Sequence, residues 1–203
     1  MRWTEQPARL PIQPLSALAA REPRLAEMLL TVPPDAGLVV AFGADVLEIV
    51  LRQLAASSNE QGGLLLGQVF AEGDDPAGSR AVLVTQAVPA QDFASSGVAL
   101  RIESSVWDEA RARLGAQELI VGWYHSHPGL GAFFSDTDRR TQAAFFPHPY
   151  SVGWVVDPVR GESAVFVGRD AAAPARVFYG GEAGASGRSG ISEAGTVSTR
   201  STK

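Results

Sequence analysis

Apolar positions fall into short blocks whose spacing changes along the chain, and the spacing predicts the elements. Leu38-Val39-Val40-Ala41-Phe42 is an unbroken apolar run, expected as a short strand. Behind Gly43, Leu47, Val50, Leu51 and Leu54 recur at i, i+3, i+4 and i+7, the pattern of an amphipathic helix. Gly62–Phe70 reads as a buried strand, the Gly-, Asp- and Pro-rich stretch Glu72–Arg80 as a loop, and Ala81–Val88 as the next strand. Val98–Ile102 is expected as a short edge strand, preceded by a mobile stretch over Asp92–Gly97. Val106, Trp107, Ala110 and Leu114 suit a helix opened by Ser104 or Ser105. Leu119–Tyr124 is apolar on both faces, as a central strand should be. A helix follows from about Asp136 to Phe146, then strands Val152–Val156 and Ser163–Val167 around a turn through Asp157–Gly161.

The two ends read differently. Pro7, Pro11, Pro14, Pro23, Pro33 and Pro34 forbid one long helix over residues 1–36, although Leu25, Met28 and Leu29 can share one side of a short one. We read 1–36 as a Pro-rich arm that packs on the domain or reaches from it. Beyond Gly180 the chain is Gly, Ser and Thr with little to bury, so 181–203 is expected to be a disordered tail. Residues 37–180 remain as one domain in which strands alternate with helices, which implies an α/β or mixed α+β class.

Composition narrows the function. The 203 residues carry 17 basic and 22 acidic side chains, a net charge of −5, which argues against a nucleic-acid partner. There is no basic block and no apolar run of ~18 residues, so no membrane is expected either. The N-terminal Met1–Pro7 lacks the order of a signal peptide, and a cytoplasmic protein is expected. With no cysteine, disulfides, thiolate nucleophiles and Cys-ligated zinc are ruled out.

Candidate chemistry concentrates in Tyr124-His125-Ser126-His127-Pro128. Residues two apart on an extended chain project from one face, so His125 and His127 can reach one metal ion at the end of the central strand, where Pro128 stops it. Ser135 with Asp138 three residues later is a capping-box-like helix start. Taken alone, that pair is well explained as a cap. It also places a carboxylate within one turn of the point where the strand delivers two imidazoles. Two histidines, one carboxylate and a position for water make an open, catalytic type of zinc site. Glu60 lies just before the strand at Leu64–Leu66 and reaches the edge of this site only if that strand neighbours the His-bearing one. Spacing alone does not separate it from a solvated acid.

The whole pattern resembles the JAMM (JAB/MPN+) metalloprotease family: His125-x-His127-Pro128, then Ser135 and Asp138, with Glu-x-x-Gly-Leu-Leu-x-Gly upstream at Glu60–Gly67. The stretches Val121–Gly131 and Val155–Pro158 look especially like the deubiquitinating subunit of the proteasome lid. The resemblance covers about residues 37–180. It implies a curved mixed β-sheet flanked by helices, an MPN/JAB domain that is cytidine-deaminase-like. It further implies one Zn2+ per chain on His125, His127 and Asp138, Glu60 as general acid/base, and Ser135 as a partner of the oxyanion. The implied substrate is a ubiquitin-like protein or its conjugates, cleaved at an extended C-terminal tail, with E1- or E2-like proteins of the same pathway as further partners. Val98 and Leu100 would offer an edge for that tail. Phe133 and Phe134 either line the groove or belong to the core. Ser126, by alternation, points away from the metal.

Competing chemistry finds less support. No Gly-x-Ser-x-Gly of a serine hydrolase occurs, and a zinc deaminase needs cysteines that this chain lacks. Non-haem iron also uses two histidines and a carboxylate, without other signs of oxygen chemistry here. Two alternatives stay open beside the isopeptidase: trimming of a ubiquitin-like sulfur carrier, and a non-catalytic MPN scaffold, against which the intact motif weighs.

Overall fold

The computed structural model describes residues 10–73, 75–90, 93–96, 99–102 and 104–180. Its ten strands and five helices run β1 (Gln13–Pro14), α1 (Leu15–Arg21), α2 (Pro23–Leu30), β2 (Val39–Phe42), α3 (Ala44–Ala55), β3 (Gly62–Ala71), β4 (Ser79–Pro89), β5 (Phe93–Ser96), β6 (Ala99–Ile102), α4 (Ser104–Arg113), β7 (Leu119–Ser126), α5 (Asp136–Phe145), β8 (Val152–Asp157), β9 (Glu162–Val167) and β10 (Arg176–Tyr179). Seven strands follow the order β10-β2-β4-β3-β7-β8-β9, and β1 adds beside the far end of β3. The sheet is mixed: β3 is antiparallel to both β4 and β7, while β7 and β8 are parallel. Register shifts in β3, between Leu66 and Gly67 on the β4 side and between Leu65 and Leu66 on the β7 side, are bulges of the kind that curve a sheet. This is the curved mixed α/β architecture that the sequence implied.

Alternation along the strands sorts side chains into layers. Leu65, Val84, Tyr124 and Trp154 pack with Val46, Val50 and Leu54 of α3. On the opposite face Leu64, Leu66, Trp123 and Val155 pack with Val106 and Ala110 of α4 and with Phe146 behind α5. Because His125 is two residues from Trp123, it shares the α5 face. The helix that begins at Asp136 is therefore the one able to meet the histidines.

The structure takes the first of the two alternatives for the N-terminal arm, which packs on the domain, and it departs from expectation at the edge strand. Residues 10–36 do not reach away: Leu18, Leu25, Leu29 and Val32 are buried against Val39, Ala41, Phe70 and Ala81. Arg21 also hydrogen-bonds Gln13 and Gln68. The expected edge strand over Val98–Ile102 is not an edge of the main sheet. Its described part, β6, pairs with β5 as a separate two-stranded hairpin, Ser95 opposite Leu100. Two short runs this close in sequence pair locally at little entropic cost, and the stretch expected to be mobile supplies the partner strand. Val98 and the tail at 181–203 lie outside the described residues. No helix among the described residues is long and apolar enough to cross a membrane.

Candidate metal centre

Parallel β7 and β8 end at the same edge of the sheet, and their C-terminal ends frame the candidate site. Such carboxyl ends are where α/β sheets commonly bind ligands. His125 is the last-but-one residue of β7, fully buried, and pairs in register with Gly62 of β3 and Val155 of β8. His127 has left the strand, yet its N–H still donates to the Val156 carbonyl at 2.9 Å. Trp123 stacks flat on the His125 imidazole, centroids 4.5 Å apart and planes within 6°. The Trp123 indole N–H donates to Gln142 of α5 at 2.7 Å.

From the other side, Ser135 caps α5. Its Oγ accepts the Asp138 N–H at 3.2 Å, while the Ser135 N–H and Oγ–H both donate to Asp138 Oδ2 at 2.7 Å. The capping reading and the ligand reading of this pair are thus compatible in a single geometry. Asp138 is 1% exposed and lies 3.3 Å from His125 Nε2 and 3.5 Å from His127 Nε2, and the two Nε2 atoms are 3.1 Å apart.

These separations test the metal reading. Donors about 2.0–2.1 Å from a tetrahedral ion stand roughly 3.3–3.4 Å from one another. The three side chains meet that spacing and could hold a metal ion; the donor set fits. Electrostatics agree at His125 and Asp138. Desolvation lowers the His125 pKa below the ordinary imidazole value despite Asp138, so the ring is neutral and its Nε2 can carry a lone pair. At His127 burial acts in the same direction, but the hydrogen bond and charge of Asp138 and the charge of Glu60 outweigh it and raise the pKa. Burial opposes the charge on Asp138, yet its contacts with His125, His127 and Ser135 hold the carboxyl far below the usual carboxylate range.

Glu60 arrives by strand pairing. β3 does neighbour β7, and Gly62 sits opposite His125, so Glu60 lies two residues further on, beside the site. It is partly exposed, and its charge acts on both imidazoles. Ser126, pointing to the opposite face, pins this approach: its Oγ accepts the Gln61 N–H at 3.0 Å, and its own N–H donates to the Gln61 carbonyl at 2.8 Å. Phe133 is 47% exposed, with its ring 5.1 Å from that of His127. Phe134 does not line a groove: it is 5% exposed and packed against Phe166, Trp123 and the His125 ring, where its apolar surface is withdrawn from water. Leu100 lies in the hairpin strand β6, beside α5.

Sequence reasoning passed over Asp157 and Gln142. Asp157 was assigned to a turn, yet it is fully buried at the end of β8. Gln142 is fully buried in the middle of α5. An acid closing an all-apolar strand, and an amide four residues after a metal-ligand candidate, were the available signals.

A family model described as prokaryotic homologs of the JAB domain matches residues 44–167, from α3 through β9. The chain belongs to the JAB-domain (JAMM) family. Among relatives of this JAB domain, the 26S proteasome regulatory subunit rpn11 of Schizosaccharomyces pombe is 49% identical over 47 residues, covering 23% of this chain and 15% of that protein. COP9 signalosome complex subunit 5 of Drosophila melanogaster is 33% identical over 129 residues, covering 59% of this chain and 36% of that protein. The chain therefore spans well under two thirds of the length of these relatives. The solution structure of protein DSY2949 from Desulfitobacterium hafniense aligns at a TM-score of 0.49 and 19% identity, covering 70% of this chain and 94% of that one.

Proposed function

We propose that this JAB-domain chain is a zinc-dependent peptidase or isopeptidase that cleaves at the C-terminal tail of a ubiquitin-like protein. The observation that carries the reading is the convergence of His125, His127 and Asp138 within 3.1–3.5 Å, with the Glu60 charge acting on both imidazoles. Bound there, zinc would supply a water acidic enough to yield hydroxide near neutral pH and a positive charge for a carbonyl oxygen. Glu60, beside the site, would serve as the general acid/base that takes a proton from the attacking water and returns it to the departing amine. Ser135 turns its hydroxyl from Asp138 toward the developing oxyanion and stabilises it. Trp123 and Phe134 keep solvent from the inner side of His125, while Phe133 borders the open side next to His127.

Recognition of the tail falls to backbone. Strand β6 at Ala99–Ile102 offers the substrate an edge against which to extend, with Leu100 on it and Val98 just before it in sequence as the proposed contact positions, and with E1- or E2-like proteins as partners in the same pathway.

The test uses a ubiquitin-like protein carrying a fluorescent C-terminal extension. Glu60→Gln should keep zinc, measured by metal analysis, and lose roughly 10²–10⁴-fold in cleavage rate. His127→Ala should lose the zinc. At least one of Val98→Pro and Leu100→Pro should lose activity with zinc retained, because proline removes a backbone donor. Parental turnover in Glu60→Gln would overturn the mechanism.

A further inference from the structure

The turn that follows His127 has no regular structure of its own, so something else must fix its backbone. Gly129 and Gly131 adopt positive φ of 78° and 95°, conformations that glycine takes without strain. Their N–H groups both end on one side chain. Asp157 Oδ1 accepts from Gly129 at 2.9 Å, from Val159 at 2.9 Å and from Arg160 at 3.1 Å, and Oδ2 accepts from Gly131 at 2.7 Å. The carboxylate is fully buried, with the Arg160 Nε 3.7 Å from Oδ2. One acid thus ties together the turn after β7, which carries His127 and Phe133, and the turn after β8.

We propose that Asp157 is a positioning residue for the metal site, clamping the 128–134 turn so that His127 and the Phe133 wall are held in place before any ligand arrives. Only an ionised carboxylate suits the task, because both oxygens must accept and neither may donate. An amide in its place turns a donor toward at least one N–H. The favourable orientation of Asn keeps the Oδ1 group of bonds and sets its NH2 against Gly131. The four N–H groups in turn favour the ionised form, lowering the carboxyl pKa against the opposing effect of burial. This role rests on the metal reading above, but not on the identity of any protein substrate.

The full chain is compared with Asp157→Asn, and with Val50→Ala as a control. Val50 is fully buried in the α3 layer, across the sheet from the metal ligands. Zinc affinity is read by competition with a chromophoric chelator, and amide exchange by NMR without metal. Asp157→Asn is expected to bind zinc roughly tenfold more weakly, the usual weight of support behind metal ligands. Its Gly131 amide should exchange at least tenfold faster while the Tyr124 and Trp154 amides hold. Val50→Ala should lose thermal stability yet keep parental zinc affinity. The clamp is overturned if Asp157→Asn binds zinc like the parent, or if Gly131 exchange is unchanged. A parent chain that takes up no zinc instead overturns the metal reading, and Gly131 exchange then still decides whether Asp157 fixes the turn.

Discussion

Gln142 ties the two halves of the candidate metal site together, and its replacement by Leu can be worked out group by group. Gln142 Oε1 accepts the Trp123 indole N–H at 2.7 Å, and Nε2 donates to the Gly168 carbonyl at 3.0 Å and, at the 3.5 Å limit, to Ser151. Leu at this site leaves the Trp123 N–H buried without a partner, a cost of about 1–3 kcal/mol. The two carbonyls suffer less. Gly168 still accepts from Ala171 at 3.3 Å and Ser151 from Gly168 at 2.8 Å, so the loss there is about 0.5–1.5 kcal/mol. The sum is about 1.5–4.5 kcal/mol, or roughly 6–12 °C in Tm near its middle for a chain of this size. Urea denaturation of a double-mutant cycle with Trp123→Phe isolates the bond. Phe has no N–H to orphan, so Gln142→Leu should cost less in that background, with a coupling of about 1–2 kcal/mol. Additivity within ~0.5 kcal/mol would show that the indole and the amide are not partners, and the link from α5 to the His125 ring would fall with it.

Three further outcomes are expected. Ser126→Ala should keep zinc and slow cleavage roughly tenfold or more by loosening Gln61 beside Glu60; a parental rate would mean that Glu60 needs no such anchor. Because the folded-state pKa of Asp157 is depressed, its stabilising effect is full above the unfolded value of about 3.9 and fades as pH falls through the folded one. The stability gap between the parent and Asp157→Asn, read from urea melts, should therefore be full at pH 7 and shrink below about pH 4. Removing zinc with a chelator should lower Tm only by the lost binding linkage and leave far-UV circular dichroism unchanged, since neither hydrophobic layer on the two faces of the sheet includes a candidate metal ligand. Loss of helix signal on chelation would count against a preformed site.

What could be read in the sequence depended on how far each signal had to reach. The pairing of His125 with His127 needs only the two-residue period of a strand, and the α3 and β3 patterns are equally local. Asp138 needed a helix start five residues past Gly131, still within one turn-and-helix unit. Glu60 required knowing that β3 lies beside β7, which no local pattern states; the register of Gly62 opposite His125 settles it. The parallel pairings of β1 with β3 and of β10 with β2 join segments remote in sequence, and no local pattern in either short strand says which partner it takes. Asp157 was hidden for a related reason. Its turn partners are near, but Gly129 and Gly131 lie 28 and 26 residues away.

Ser135 and Asp138 show why the cap and the ligand need not compete. A helix start must satisfy its own free N–H groups, and a buried carboxylate must find donors. Here each need answers the other: the hydroxyl takes the Asp138 N–H, and Asp138 Oδ2 takes the Ser135 N–H and hydroxyl proton. The carboxylate is thereby oriented by forces that exist in any capped helix, with Oδ1 left toward His125 at 3.3 Å. On the strand side, Trp123 stacking and the Val156 carbonyl fix the two histidines in the same metal-independent way. Local caps and strand pairing thus do most of the preorganisation, so a binding ion has little conformational entropy left to remove. Metal affinity in this fold should then respond to changes such as Gln142→Leu and Asp157→Asn, which touch no ligand atom but release the backbone that holds one.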